Sequence, residues 1–205
     1  MRNTWAQKLY DEMMSFENVE DVAKMFNGTK YMAKNDVGAI IGELIGTYDM
    51  SKTDILKTVL TSKKYEDNMD CVTEEDNPII IALLKAYFNN IRNGNVRNKT
   101  LMKSFIFDKT FKYKWDITNK KGETPFDIIF DNCDLLAFSD YPIFFNKENQ
   151  MHFSPLNKTI GEKTFIDIFK KTNTLKNKTE VKKIMQMFKD MVEEQSITIL
   201  SDCYA

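Results

Sequence analysis

The sequence contains few of the residues that form turns and disulfide bonds. Its 205 residues include 7 glycines, 4 prolines and 3 cysteines. The scarcity of glycine and proline predicts helices that are joined by short polar loops. The odd number of cysteines (Cys71, Cys133 and Cys203) excludes a closed disulfide framework, so we expect reduced thiols. The formal charge of −1 argues against a protein that coats nucleic acid non-specifically.

Long apolar runs and targeting segments are also missing. The longest apolar run, residues 79–84, is far shorter than the roughly 20 residues that cross a bilayer. Residues 1–8 carry charge but no apolar stretch, so no signal peptide is expected. These absences predict a cytoplasmic protein without a membrane partner. Asparagine and lysine are abundant, as is common in proteins of A/T-rich viruses and phages, and such an origin would place the protein in the host cytoplasm.

The patterns that usually carry chemistry are absent too. The sequence has neither of the glycine-rich motifs that bind phosphates. His152 is the single histidine, and its apolar neighbours favour a structural role. His152 and three scattered cysteines lack the spacing of a zinc site, and the acidic segment 66–76 lacks the central glycine of a calcium loop. We therefore expect no cofactor, no metal and no enzymatic activity, and we interpret segment 66–76 as a solvated loop or an acidic lip for a protein partner.

What the sequence does contain is helical periodicity. Apolar residues make up 42% of the chain, enough for a folded core. They recur every three or four residues in 5–26, and Asn27-Gly28 then predicts a helix end. In 37–46, Gly38, Ala39, Gly42 and Gly46 predict the close approach of a neighbouring helix. Further helical patterns lie at 55–60, 79–84, 101–106 and 179–194. These patterns predict one all-α domain over 1–205, with a capping hairpin at 1–34, repeats at 35–178, and a capping helix and tail at 179–205.

One motif carries a family resemblance. Residues 119–126, Asn-Lys-Lys-Gly-Glu-Thr-Pro-Phe, resemble the ankyrin-repeat signature D-x-x-G-x-T-P-L-H-x-A. Glycine permits the positive φ of the turn, threonine caps the next helix, and proline starts it. Residues 77–82, Asn-Pro-Ile-Ile-Ile-Ala, match the second half of the signature, with Glu75 at the glycine position. Residues 161–165 keep the glycine and lose the proline.

The resemblance implies an ankyrin-like α-solenoid of stacked helical hairpins, and a HEAT-like stack is the structural alternative. The interval from Pro78 to Pro125 exceeds the ankyrin period of about 33 residues and is closer to the roughly 40–47 of HEAT and armadillo repeats. Ankyrin-like repeats imply a non-enzymatic module that binds another protein. With the viral or phage composition, the expected partner is a host-cell protein that the module inhibits or recruits.

The basic segment 92–121 supplies the candidate contact residues. Between residues 111 and 115, aromatic side chains alternate with lysines, a period typical of a strand. One interpretation is the β-hairpin between two repeats, with the aromatic rings packed inward. An alternative is a single-stranded nucleic-acid surface. A third possibility for the whole chain is an enzyme or small-ligand binder with its site between helices. The candidate protein-binding residues are Lys112, Tyr113, Lys114, Trp115, Lys120 and Lys121.

Overall fold

A computed structural model describes residues 4–132, 135–136 and 186. Its contacts divide the chain into two units, residues 1–125 and 126–205. The described residues form helices and no strand, which confirms the all-α prediction for this part of the chain. The predictions for His152, Cys133, Cys203 and the partial repeat at 161–165 lie outside the described residues. So does the helix expected at 179–194, apart from Gln186, which is helical.

Residues 4–132 form eight α-helices and one short 3₁₀ turn. The 3₁₀ turn is Met50–Lys52, and it leads directly into α4. The α-helices are α1 (Thr4–Ser15), α2 (Val19–Gly28), α3 (Lys34–Gly46), α4 (Thr53–Leu60), α5 (Lys63–Glu66), α6 (Ile79–Arg92), α7 (Val96–Phe107) and α8 (Pro125–Asp131).

Short polar residues determine where several helices begin. The Asn18 side chain accepts a hydrogen bond from the Glu20 backbone N–H at 2.9 Å, and this bond caps α2. Ser62 and Asn95 cap α5 and α7 in the same way. Pro78 immediately precedes α6, where no intrahelical N–H is needed. The predicted end of the second helix at Gly28 is confirmed.

The helices of the first unit pack against one another in pairs. The α3 helix contacts α1, α4 and α6, and α2 contacts α4. The α6 and α7 helices pack against each other over most of their length. The side chains that seal these contacts are fully buried aliphatic and aromatic groups, which supply the hydrophobic stabilisation. They include Met13, Phe26, Ile40, Ile41, Leu56, Leu84, Tyr87, Phe88 and Phe105.

Two glycines of α3 allow an extended segment, rather than a helix, to pack at van der Waals distance. A Cβ atom at Gly38 would lie 1.9 Å from the backbone oxygen of Val72, and one at Gly42 would lie 2.8 Å from the Thr73 side chain. The sequence predicts that a neighbouring helix approaches these glycines. This is wrong for Gly38 and Gly42, because the segment that approaches them is Val72–Thr73. Gly46 has nothing within 4 Å of an added Cβ, so it leaves open space instead. None of the described helices is both long and apolar enough to cross a membrane.

Candidate functional site

Two loops of the first unit fold into the same backbone turn. Turn one is residues 73–77 and turn two is residues 119–123. In turn one, the Thr73 N–H donates to the Asn77 carbonyl at 2.9 Å, and the Asp76 N–H donates to the Thr73 carbonyl at 2.9 Å. In turn two, the Asn119 N–H donates to the Glu123 carbonyl at 3.0 Å, and the Gly122 N–H donates to the Asn119 carbonyl at 2.9 Å. The two turns therefore share one hydrogen-bond pattern.

The first side chain of each turn also has the same role. Thr73 Oγ1 accepts from the backbone N–H groups of residues 75 and 77, at 3.3 and 3.4 Å. Asn119 Oδ1 accepts from the N–H groups of residues 121 and 123, both at 3.0 Å. The shorter distances in turn two indicate the stronger pair of hydrogen bonds.

The residue with positive φ shows which positions of the two turns correspond to each other. Gly122 has φ 76°, and the matching residue in turn one is Asp76, with φ 57°. The prediction that Glu75 occupies the glycine position is therefore wrong by one residue. Aspartate tolerates the left-handed region better than most side chains, because its short polar group can hydrogen-bond locally.

A polar network joins the two turns. The Asn119 amide donates to Asn77 Oδ1 at 3.1 Å and to Glu123 Oε2 at 2.7 Å. The Lys85 ammonium, on α6, donates to the same two oxygens at 2.9 and 3.2 Å. The hydrogen bond from Asn119, followed by the hydrogen bond from Lys85, lowers the pKa of Glu123 below its ordinary value. Each buried amide of the network thus has partners, which holds the turns side by side.

A groove lies between α3 and α6 and is bordered by turn one. Its volume is about 620 Å³. Both helices contribute alanine or glycine to its lining, and these small residues leave space between the helices. These small residues, which we call the floor, are Ala39, Gly42, Gly46, Ala82 and Ala86.

The charged and aromatic side chains of the groove lie around this floor. Among the described residues that line the groove, Glu43 on α3 and Glu74 and Glu75 on turn one are carboxylates, and Lys85 on α6 is a cation. Tyr48 closes one end, where its hydroxyl lies 2.7 Å from Thr53 Oγ1. Burial raises the pKa of Tyr48, so this phenol stays protonated and acts as a hydrogen-bonding group.

The acidic segment 66–76 and the basic segment 112–120 face each other at a surface that we call the loop edge. Lys112 Nζ lies 2.8 Å from Glu66 Oε1, and Lys120 Nζ lies 3.2 Å from Asp76 Oδ2. Asp70 pairs with two lysines, and these pairs are Lys34 at 2.6 Å and Lys114 at 3.9 Å. Lys112 lowers the pKa of Glu66, and Lys34 is the main cause that lowers the pKa of Asp70. The two charged segments therefore neutralise each other along this edge.

Half-buried aromatic side chains alternate with exposed lysines in residues 111–115, but this segment does not form a strand. Lys112 and Lys114 are exposed, whereas Tyr113 and Trp115 are half-buried. The Tyr113 hydroxyl donates to the Phe105 carbonyl at 2.8 Å, and its ring lies 6.5 Å from that of Tyr65. Burial raises the pKa of Tyr113. The expected β-hairpin is wrong, since this segment contains no strand, but the aromatic rings do turn inward as that interpretation required.

The six predicted contact residues belong to one continuous region of the loop edge and turn two. The amide N–H of Lys121 donates to Asn119 Oδ1, as described above, and its side chain is exposed. Their role in binding stays a prediction. The groove was missed, although its signal is visible in the sequence: alanine or glycine recurs at 39, 42 and 46 and again at 82 and 86. That spacing places small residues on one face of each helix, but only the fold brings the two faces together.

Potential metal ligands and one thiol can be located among the described residues. No cluster of three or more histidine, cysteine or acidic side chains in this part of the chain has the geometry to hold a metal ion. Cys71 is buried, and burial raises its pKa to about 12, so the thiol is protonated at neutral pH.

Comparison with family models, curated proteins and solved structures returned no significant match to this chain.

Proposed function

We propose that the chain is a protein-binding module built from ankyrin-like helical hairpins, and that its partner occupies the groove between α3 and α6. The observation that carries the proposal is the groove itself, which lies between α3 and α6 and is bordered by turn one. Stacked hairpins shelter apolar faces only against their neighbours and leave an extended surface for a macromolecular partner.

The repeated turn supports the ankyrin-like part of the proposal. Turn one precedes α6 and turn two precedes α8, so the chain uses the same turn before two of its helices. The network through Lys85 and Asn119 keeps the turns adjacent. Because this border is already rigid, less conformational entropy is lost when a partner binds to it.

The loop edge is the neighbouring part of the same surface. Lys120, one of the predicted contact residues, pairs with Asp76 of turn one, so a partner in the groove could extend across this pair. The inward orientation of Tyr113 and the ion pairs of Lys112 and Lys114 disfavour the nucleic-acid interpretation, since rings that stack on bases must be accessible.

A matched pair of glycine variants tests the proposed function. Gly46 and Gly28 are each the last residue of a helix, and neither has an atom within 4 Å of an added Cβ. Only Gly46 lines the groove. Peptides that bind the intact protein would be selected from a random displayed library, and their affinities measured for Gly46→Leu and Gly28→Leu.

The two variants have different expected outcomes. Gly46→Leu should weaken binding about tenfold or more, equivalent to about 1.4 kcal/mol, because leucine fills part of the groove. Gly28→Leu should bind within about twofold of the natural sequence. A selection without binders, or binders indifferent to Gly46→Leu, would overturn the proposal.

The groove volume also supports a second candidate function, the binding of a small molecule. At about 620 Å³ the groove falls within the roughly 300–1,000 Å³ typical of such sites. A thermal-shift screen against charged and uncharged metabolites tests this candidate. A ligand whose stabilising effect disappears in Gly46→Leu but persists in Gly28→Leu would favour it over protein binding.

A further inference from the structure

We draw no further inference here: the strongest candidate, the pair of exposed apolar side chains Met50 and Val96 near the Tyr48 end of the groove between α3 and α6, carries none because nothing in the structure shows what covers them.

Discussion

Turn one and turn two adopt the same backbone conformation although their residues differ. The first position is Thr73 in turn one and Asn119 in turn two, and both side chains accept from the N–H groups two and four residues later. The position with positive φ is Asp76 in one and Gly122 in the other. The comparison teaches that a turn is defined by its hydrogen bonds and by one left-handed residue, so that a strict residue motif recognises only some of its examples.

The two turns differ in how they are held. Turn one follows Val72, which packs directly on the backbone of Gly38, and Thr73 packs on Gly42. Turn two is held by the amide of Asn119, which bonds across to Asn77 and within its own turn to Glu123. Close packing therefore dominates in turn one and hydrogen bonding in turn two. Four predictions follow from this difference, in order of decreasing effect.

The largest effect is expected where turn one meets α3. Gly38→Ala should destabilise the protein by about 3 kcal/mol, because the new methyl group would clash with the Val72 backbone and force it away from the helix. Gly28→Ala is the control, since it adds the same group where no atom lies within 4 Å. Urea unfolding followed by circular dichroism measures both. Equal free energies of unfolding would show that turn one is not held by this contact.

The next effect concerns the first residue of each turn. Asn119→Ala removes two accepted and two donated hydrogen bonds, so we expect a loss of about 2–3 kcal/mol. Thr73→Val keeps the shape and removes a hydroxyl whose accepted bonds are long, so we expect a loss of about 1 kcal/mol. Thermal and urea unfolding would rank the two. A larger loss of unfolding free energy in Thr73→Val than in Asn119→Ala would contradict this comparison.

A smaller effect is expected at the left-handed position. Gly122→Ala should cost about 1–2 kcal/mol, the penalty of placing a Cβ at positive φ. Asp76→Gly should change stability by no more than about 0.5 kcal/mol, because relief of that penalty is offset by the greater entropy of glycine in the unfolded chain. A large loss in Asp76→Gly would show that the ion pair with Lys120 carries more stability than exposed pairs usually do.

The smallest effect is the pH dependence of the network. Because the pKa of Glu123 is lowered in the folded state, its contribution is fully present above the unfolded pKa and is lost as the pH falls from about 4.5 through the folded pKa. Glu123→Gln should therefore flatten the acid side of the stability curve by less than about 1 kcal/mol, since the carboxylate is partly exposed and water screens it. Unfolding at neutral and acidic pH measures the difference. An unchanged curve would show that the charge of Glu123 adds no stability through the network.

The features that could be predicted from sequence are local. Periodicity predicted the first helical pair, Asn27-Gly28 predicted the end of α2, and Pro78 and Pro125 predicted the starts of α6 and α8. Each of these signals acts within a few residues of the chain. The glycine of turn two was equally visible, because only glycine adopts positive φ without a steric penalty.

The features that could not be predicted depend on contacts distant in sequence. Aspartate adopts the left-handed region more readily than most residues but also many other conformations, so the motif alone predicts that region at Glu75 instead of Asp76. The small residues of α3 indicated close packing, but their partner, the Val72–Thr73 backbone, is known only from the fold. The pairing of segments 66–76 and 112–120 and the groove itself likewise require helices and loops to be brought together.

The central claim is that a partner occupies the groove rather than the loop edge. Amide hydrogen exchange of the intact protein, with and without a selected peptide, measures this directly. The account predicts slower exchange in residues 39–48, 73–77 and 82–90, the segments that contain the groove-lining residues, and unchanged exchange in 108–118. Protection confined to residues 108–121, with the groove unchanged, would contradict it.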